Sequence, residues 1–132
     1  MPIAFITGAS HGIGAAVAWE FAAESDARIA LIARTKDKLD SIAAGCESRG
    51  ATTMVIPCDV TSPEAVADAS RQVLQAWGPP DLVFNNAGQF VPGSIADTSP
   101  QDFRYQVDVN LYSAFYVTHA FVQSMMERGS GS

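Results

Sequence analysis

The sequence lacks the features that mark secreted, disulfide-bonded and metal-binding domains. Only two cysteines occur among its 132 residues, and Cys46 and Cys58 show neither C-x-x-C spacing nor a neighbouring histidine cluster. A disulfide framework and a thiolate zinc site are therefore not expected. We interpret both cysteines as ordinary buried or half-buried thiols in a reducing compartment, and we expect no metal site.

Basic charge and long apolar runs are also scarce. Eight Lys and Arg residues stand against 14 Asp and Glu residues, which gives a net charge of -6. The basic residues are scattered singly, which argues against a nucleic-acid partner. No apolar run reaches the roughly 18 residues that cross a bilayer, and no basic region precedes the first apolar stretch. The sequence therefore predicts a soluble, cytoplasmic protein with no membrane partner.

The remaining composition predicts one compact α/β domain over residues 1–132. Short apolar runs alternate with longer segments of helical periodicity, a pattern typical of βαβ units with helices on both faces of a parallel sheet. The predicted strands are Ile3–Thr7, Arg28–Ala33, 53–58 and 82–85. The predicted helices are 15–24, 36–49, a third capped by Thr61 or Ser62 with Pro63 in its first turn, and 100–128.

The last predicted helix, 100–128, is apolar around more than one stripe. Its apolar residues are Phe103, Val107, Leu111, Phe115, Val117, Phe121, Val122, Met125 and Met126. A helix of this kind is covered on more than one side. We therefore expect part of it to meet another chain, as in a homo-oligomer, or a segment that these residues do not contain.

Three glycines follow the first predicted strand, in the stretch TGASHGIG. Ligands of open α/β sheets bind at the carboxyl ends of the strands. Gly8 would allow a tight turn, Gly12 the close approach of a pyrophosphate, and Gly14 close packing of helix on strand. The start of the following helix suits a phosphate. Taken alone, the loop is also compatible with a tight turn that binds nothing.

Four motifs occur in order: TGASHGIG at 7–14, CDV at 58–60, NNAG at 85–88 and Asn110 within DVNLYSAF. Together they resemble the short-chain dehydrogenase/reductase family over essentially the whole chain. The resemblance implies a Rossmann-like, doubly wound parallel sheet of strand order 3-2-1-4, incomplete on its C-terminal side. It also implies a bound nicotinamide dinucleotide.

The resemblance assigns a coenzyme role to each motif. Under it, the phosphates contact Ser10 and Ile13, the adenine amino group donates to Asp59 with Val60 beside it, and the adenosine ribose is lined by Asn86, Ala87 and Gly88. Thr7 would tie the glycine loop to the NNAG turn. Two alternatives remain: Asp59 caps the following helix, or Asn85 and Asn86 are ordinary turn residues.

The residues at the end of the second predicted strand indicate whether the chain prefers NAD or NADP. NAD-binding members of the family tend to carry an acid there, whereas this chain has Ala33 followed by Arg34. A guanidinium pairs with a 2′-phosphate in a charge-assisted bond of roughly 1.5–3 kcal/mol. NADP(H) is therefore favoured over NAD(H). His11 and Thr35 are further candidates for the same phosphate, with a solvated surface role as the alternative.

The family reduces carbonyls with a Tyr-x-x-x-Lys pair and a serine. No such pair occurs here, because the only lysines are Lys36 and Lys38 and no tyrosine precedes either of them. Asn110 is the one catalytic position that matches; in the family it holds a water that relays protons. We therefore expect the first half of a longer NADP(H)-dependent oxidoreductase, acting on a small carbonyl or alcohol substrate and inactive by itself.

Two further expectations accompany this one. Residues 89–98 would supply one wall of the substrate pocket, while the rest would come from segments outside these residues. The alternative function is a stand-alone, non-catalytic dinucleotide-binding or interaction module. Separately, the GSGS ending is open to interpretation as a flexible tail or as the remnant of a tag.

Overall fold

A computed structural model describes residues 1–132 and contains a single four-stranded sheet. Its strands are β1 (Ile3–Thr7), β2 (Arg28–Ala33), β3 (Thr52–Pro57) and β4 (Leu82–Phe84). All neighbouring strands pair in parallel, and their order is β3-β2-β1-β4. The predicted α/β class and the strand order 3-2-1-4 are confirmed.

Five α-helices connect or follow the strands. They are α1 (Gly12–Phe21), α2 (Lys36–Glu47), α3 (Pro63–Trp77), α4 (Pro100–Val107) and α5 (Ser113–Arg128). A π-helical turn, Asp108–Tyr112, joins α4 to α5. None of these helices combines the length and the hydropathy that a bilayer crossing requires.

The strand β1 is the centre of the core, and all five of its residues are buried. Successive side chains of a strand point to opposite faces, so Ala4 and Ile6 pack against α1 and α2, whereas Phe5 packs on the α3 and α5 side. The ring of Phe5 meets Phe121 edge to face, with centroids 4.8 Å apart. Both faces of the sheet are thereby covered, as the alternating pattern predicted.

Several predicted boundaries were wrong by a few residues. The helix α1 begins at Gly12 rather than residue 15, because the last two glycines of the loop already lie in its first turn. It ends at Phe21 rather than at residue 24, because the next residues form tighter turns. In one of these turns the backbone N–H of Ala23 donates to the carbonyl of Glu20. β3, β4 and α2 end one or two residues early, as is usual where element ends fray.

The predicted single helix 100–128 is interrupted by the π-helical turn. There the Asn110 side chain donates to the carbonyl of Gln106 at 2.8 Å, and Ser113 donates to that of Val109 at 2.7 Å. Such bonds to the preceding turn accompany a widened helix. The predicted excess of apolar surface is present, since Phe103, Leu111 and Phe115 are all more than 60% exposed.

Arg128 holds the end of α5 against the start of β4. Its guanidinium donates to the carbonyls of Pro79 at 2.6 Å and Pro80 at 2.7 Å, and lies 3.2 Å from a carboxylate oxygen of Asp81. The other oxygen of Asp81 accepts from the backbone N–H of Ile3 at 2.8 Å. The C-terminal end of α5 is therefore anchored to the residues before β4 and, through Asp81, to β1.

Gly14→Ala is expected to destabilise the fold. A Cβ at this position would overlap the carbonyl oxygen of Gly8 and lie 2.6 Å from Nδ2 of Asn86. Overpacking of this kind costs about 1–3 kcal/mol, which urea unfolding followed by circular dichroism measures. Gly93→Ala is the control, because its Cβ would meet only Oγ1 of Thr98, at 3.3 Å. Equal stability of the two variants would contradict the prediction.

Candidate functional site

A cleft of about 160 Å³ lies at the carboxyl ends of the strands. Each strand contributes the residues that follow it, and the last helical segment closes one side. The lining comprises Gly8, Ser10, His11, Ala33, Arg34, Thr35, Lys38, Cys58, Asp59, Val60, Ala87, Gly88, Gln89, Tyr105 and Val109. Ligands of open parallel sheets bind in this crevice.

Most of the predicted site residues line this cleft, but five do not. Gly12 and Ile13 form the first turn of α1, where Ile13 is 69% exposed. Gly14 packs beneath the loop, and Asn86 points into the loop backbone rather than into the cleft. Asn110 is exposed beside Gln89. A larger cavity of about 470 Å³ lies between β4 and α5, and none of the residues predicted to bind the coenzyme or to act in catalysis lines it.

Thr7 ties the glycine loop to the NNAG turn, as the sequence predicted. Its buried hydroxyl accepts from the backbone N–H groups of Asn86 and Ala87, each at 3.0 Å, and donates to the carbonyl of Phe84 at 3.3 Å. In return, Nδ2 of Asn86 donates to the carbonyls of Thr7 and Gly8 at 3.3 and 3.2 Å. The two segments that form the floor of the cleft are thus fixed to each other.

The glycine loop leaves the first turn of α1 open. Gly8 and Gly12 have φ values of +63° and +57°, which favour glycine, and no atom lies within 4 Å of a Cβ built on Gly12. His11 is the N-cap but makes no side-chain cap bond; its Nδ1 lies 3.0 Å from Oγ of Ser10 instead. The first N–H groups of α1 are therefore free of a side-chain cap, and such groups bind anions.

Asp59 does not cap α3, so that alternative reading is wrong. The N-cap is Ser62, whose hydroxyl accepts from the backbone of Ala65 at 3.2 Å. Asp59 forms a turn just before it, with Oδ1 accepting from the backbone N–H and hydroxyl of Thr61 at 3.0 and 2.8 Å. Its second oxygen, Oδ2, accepts no hydrogen bond from the protein and remains available at the cleft.

Both cysteines are free and buried, as predicted. Burial, followed by the charge of the adjacent Asp59, raises the pKa of Cys58 to about 11. Burial also raises the pKa of Cys46. Both thiols are therefore protonated near neutral pH, and Cys58 contributes an uncharged wall to the cleft.

The lining of the cleft is more basic than the chain as a whole. It contains Arg34, Lys38 and His11, whereas Asp59 is its only carboxylate. Lys36 instead pairs with Asp40 at 2.7 Å. Lys38 was missed as a site residue. Its position one turn after Arg34, in the first turn of a predicted helix, was the signal that could have identified it.

A chain of hydrogen bonds runs from Asn110 across the cleft to Arg34. Asn110 donates to the carbonyl of Gln89 at 2.7 Å and accepts from its N–H at 3.2 Å. The hydroxyl of Tyr105 donates to Oε1 of Gln89 at 2.9 Å and accepts from Nη1 of Arg34 at 3.5 Å. Tyr105 was not predicted as a site residue, and Gln89 was expected only within the 89–98 wall of the substrate pocket, because no motif contains either of them in this role.

The fold and the cleft define a Rossmann-like α/β protein. The sequence model of the family described as short chain dehydrogenase matches residues 2–132. The chain belongs to the short-chain dehydrogenase family, whose members are oxidoreductases, and the predicted resemblance is confirmed.

Curated relatives and solved structures agree with this assignment. An uncharacterised oxidoreductase of Staphylococcus aureus is 35% identical over 98% of this chain and 54% of its own length. The NADPH and L-sorbose complex of L-sorbose reductase from Gluconobacter frateurii has a TM-score of 0.93 at 32% identity, covering 98% of this chain and 49% of that one. An NAD⁺-bound xylitol dehydrogenase has a TM-score of 0.90 at 32% identity, covering 98% and 50%. The chain spans about half the length of the relatives it matches.

Thr7→Val is expected to loosen the floor of the cleft. The substitution keeps the shape of the side chain but removes the acceptor for two backbone N–H groups, at a cost of about 1–3 kcal/mol for each one left buried and unpaired. The free energy of unfolding from urea titration measures the loss.

Thr7→Ser is the matched control, because it retains the hydroxyl and loses one methyl group. We expect it to keep most of the stability that Thr7→Val loses. A serine variant as unstable as the valine variant would show that the methyl group, and not the hydrogen bonds, matters at this position.

Proposed function

We propose that this chain is the coenzyme-binding part of an NADP(H)-dependent short-chain oxidoreductase. The reaction of the whole protein is hydride transfer between the nicotinamide and a small alcohol, ketone or ketoacyl substrate. The observation that carries the proposal is a cleft that is bordered by the glycine loop and by His11, the N-cap of an α1 whose first turn has no side-chain cap, and that also contains Arg34 and Lys38. Such an arrangement suits the phosphates of a dinucleotide.

The residues present fit this coenzyme. A Cβ on Gly8 would meet Nδ2 of Asn86 at 2.8 Å, so a larger residue would disturb the loop that has to approach the pyrophosphate. Ser10 and Ile13 would bind the phosphates together with the backbone of Gly12 and Gly14. The free Oδ2 of Asp59 would accept from the adenine amino group.

The ribose and adenine would use the remaining lining residues. Val60 packs beside the adenine, while Asn86, Ala87 and Gly88 border the adenosine ribose. Asn86 acts through the loop backbone, since its side chain donates to Thr7 and Gly8. Ala87 and Gly88 line the cleft directly.

The preference for NADP(H) rests on Arg34. It directly follows β2, is exposed, and lines the cleft together with His11, Thr35 and Lys38. A 2′-phosphate carries negative charge that the side chains of Arg34 and Lys38 would neutralise, whereas a ribose hydroxyl carries none. Structural neighbours of this chain occur with NADPH and with NAD⁺, so the local charge of the cleft supplies the argument.

Hydride transfer is assigned to the whole protein and coenzyme binding to these residues. The 132 residues contain Asn110 but no Tyr-x-x-x-Lys pair, and a proton donor is needed to complete carbonyl reduction. We place residues 1–132 in one dinucleotide-binding domain. A non-catalytic, stand-alone module is less favoured, because family membership covers residues 2–132.

The exposed apolar side of the last helical segment supports self-association. Leu111 and Phe115 are 62% and 63% exposed, and Val122 and Met126 continue the same surface at 40% and 75%. Phe115 stacks on His119 with centroids 5.5 Å apart. Contiguous apolar surface of this kind is typical of protein interfaces. We propose that a second copy of the chain covers it.

Arg34→Ala is expected to weaken NADPH binding about tenfold and leave NADH binding unchanged. The variant removes one charge-assisted contact that only the 2′-phosphate makes. Titration calorimetry at fixed salt compares the two coenzymes. Lys36→Ala is the control, since Lys36 is a nearby cation that pairs with Asp40 and does not line the cleft. Equal binding of NADPH and NADH by the unmodified protein would contradict the preference.

Phe115→Glu is expected to reduce self-association, because it places a charge at the centre of the apolar surface. Sedimentation velocity at micromolar concentration measures the change in mass. Gln101→Glu adds the same charge at an exposed polar position of α4 and should leave association unaffected. A monomeric unmodified protein would overturn the proposed interface.

A further inference from the structure

Arg34 makes one side-chain hydrogen bond, and its acceptor is the hydroxyl of Tyr105 at 3.5 Å. The two residues lie 71 positions apart, Arg34 directly after β2 and Tyr105 on α4, and both line the cleft. Arg34 is exposed, whereas Tyr105 is half-buried and packs against the core on the α3 and α5 side. The tyrosine is therefore the partner that the core packs against, and the arginine is the solvent-exposed partner.

The direction of the hydrogen bonds makes Tyr105 an acceptor towards Arg34. The backbone of Gln89 is held on both sides by Asn110, which places the Gln89 side chain beside Tyr105. Oε1 of Gln89 takes the hydroxyl hydrogen at 2.9 Å, so the lone pairs of the phenol oxygen face the guanidinium. A guanidinium has five N–H donors, and this contact uses one of them. The other donors remain free for a phosphate.

From this geometry we propose that Tyr105 is a positioning residue that sets the coenzyme preference by holding Arg34 over the cleft. The inference rests on the proposed function, because it concerns the same 2′-phosphate contact. An arginine that is already ordered loses less side-chain freedom when the phosphate binds. Gln89 supports the arrangement by fixing the hydroxyl hydrogen of Tyr105.

Tyr105→Phe tests this proposal by titration calorimetry with NADPH and with NADH. We expect NADPH binding to weaken about threefold to tenfold, the effect of leaving one long side chain unordered, and NADH binding to stay unchanged. Gln89→Leu should weaken NADPH binding in the same direction, because the tyrosine hydroxyl would then be free to turn. Tyr116→Phe is the matched control: Tyr116 is also half-buried against the same core, and its hydroxyl makes no hydrogen bond in the structure.

A double-mutant cycle separates positioning from a merely structural role. If Tyr105 acts through Arg34, then Tyr105→Phe changes nothing further in an Arg34→Ala background. A persistent effect in that background, equal weakening of both coenzymes, or NADPH binding that is unchanged or tighter in Tyr105→Phe would each overturn the proposal.

The outcomes also distinguish this inference from the proposed function. If Arg34→Ala abolishes the preference for NADPH while Tyr105→Phe leaves it intact, only the role of Tyr105 is wrong. If neither coenzyme binds the unmodified protein, the proposed function and the role of Tyr105 are both wrong.

Discussion

The hydroxyl of Thr7 is the contact on which the cleft depends. It is buried at the end of the central strand, and it satisfies two backbone N–H groups of a turn that lies 79 and 80 positions away. A buried amide group without an acceptor lowers the stability of the fold. This one oxygen therefore fixes the position of the two segments relative to each other. Gly14 and Asn86 can approach the loop closely only because that position is fixed.

The distribution of charge matters more here than its total. The chain carries a net charge of -6, yet an imidazole, a guanidinium and an ammonium group line the cleft with a single carboxylate. An anionic ligand responds to the charges within about a Debye length, roughly 10 Å at 0.1 M salt. A negative net charge is therefore compatible with the binding of a small phosphorylated ligand in this cleft.

The segment from α4 to α5 serves two surfaces at once. One side of it contributes Tyr105 and Val109 to the cleft, while the other exposes Phe103, Leu111 and Phe115. The π-helical turn between the two helices gives this segment its irregular geometry, and Asn110 bonds both to the preceding turn and to Gln89. A change at the exposed face therefore acts close to the wall of the cleft.

The sequence by itself determined the architecture and the position of the motifs. Strand and helix periodicities are local, and the glycines, the Ser62 cap and the order of the four motifs constrain the backbone within a few residues. The Thr7 contact could be predicted because the expected strand order places the glycine loop beside the NNAG turn at the carboxyl ends of the strands. Only the tertiary structure decided that Tyr105, Gln89 and Lys38 border the cleft and that a π-helical turn interrupts the last helix. The contacts of Tyr105 and Gln89 depend on side chains brought together from distant elements, as for Arg34 and Tyr105. No local pattern in the sequence records such a contact.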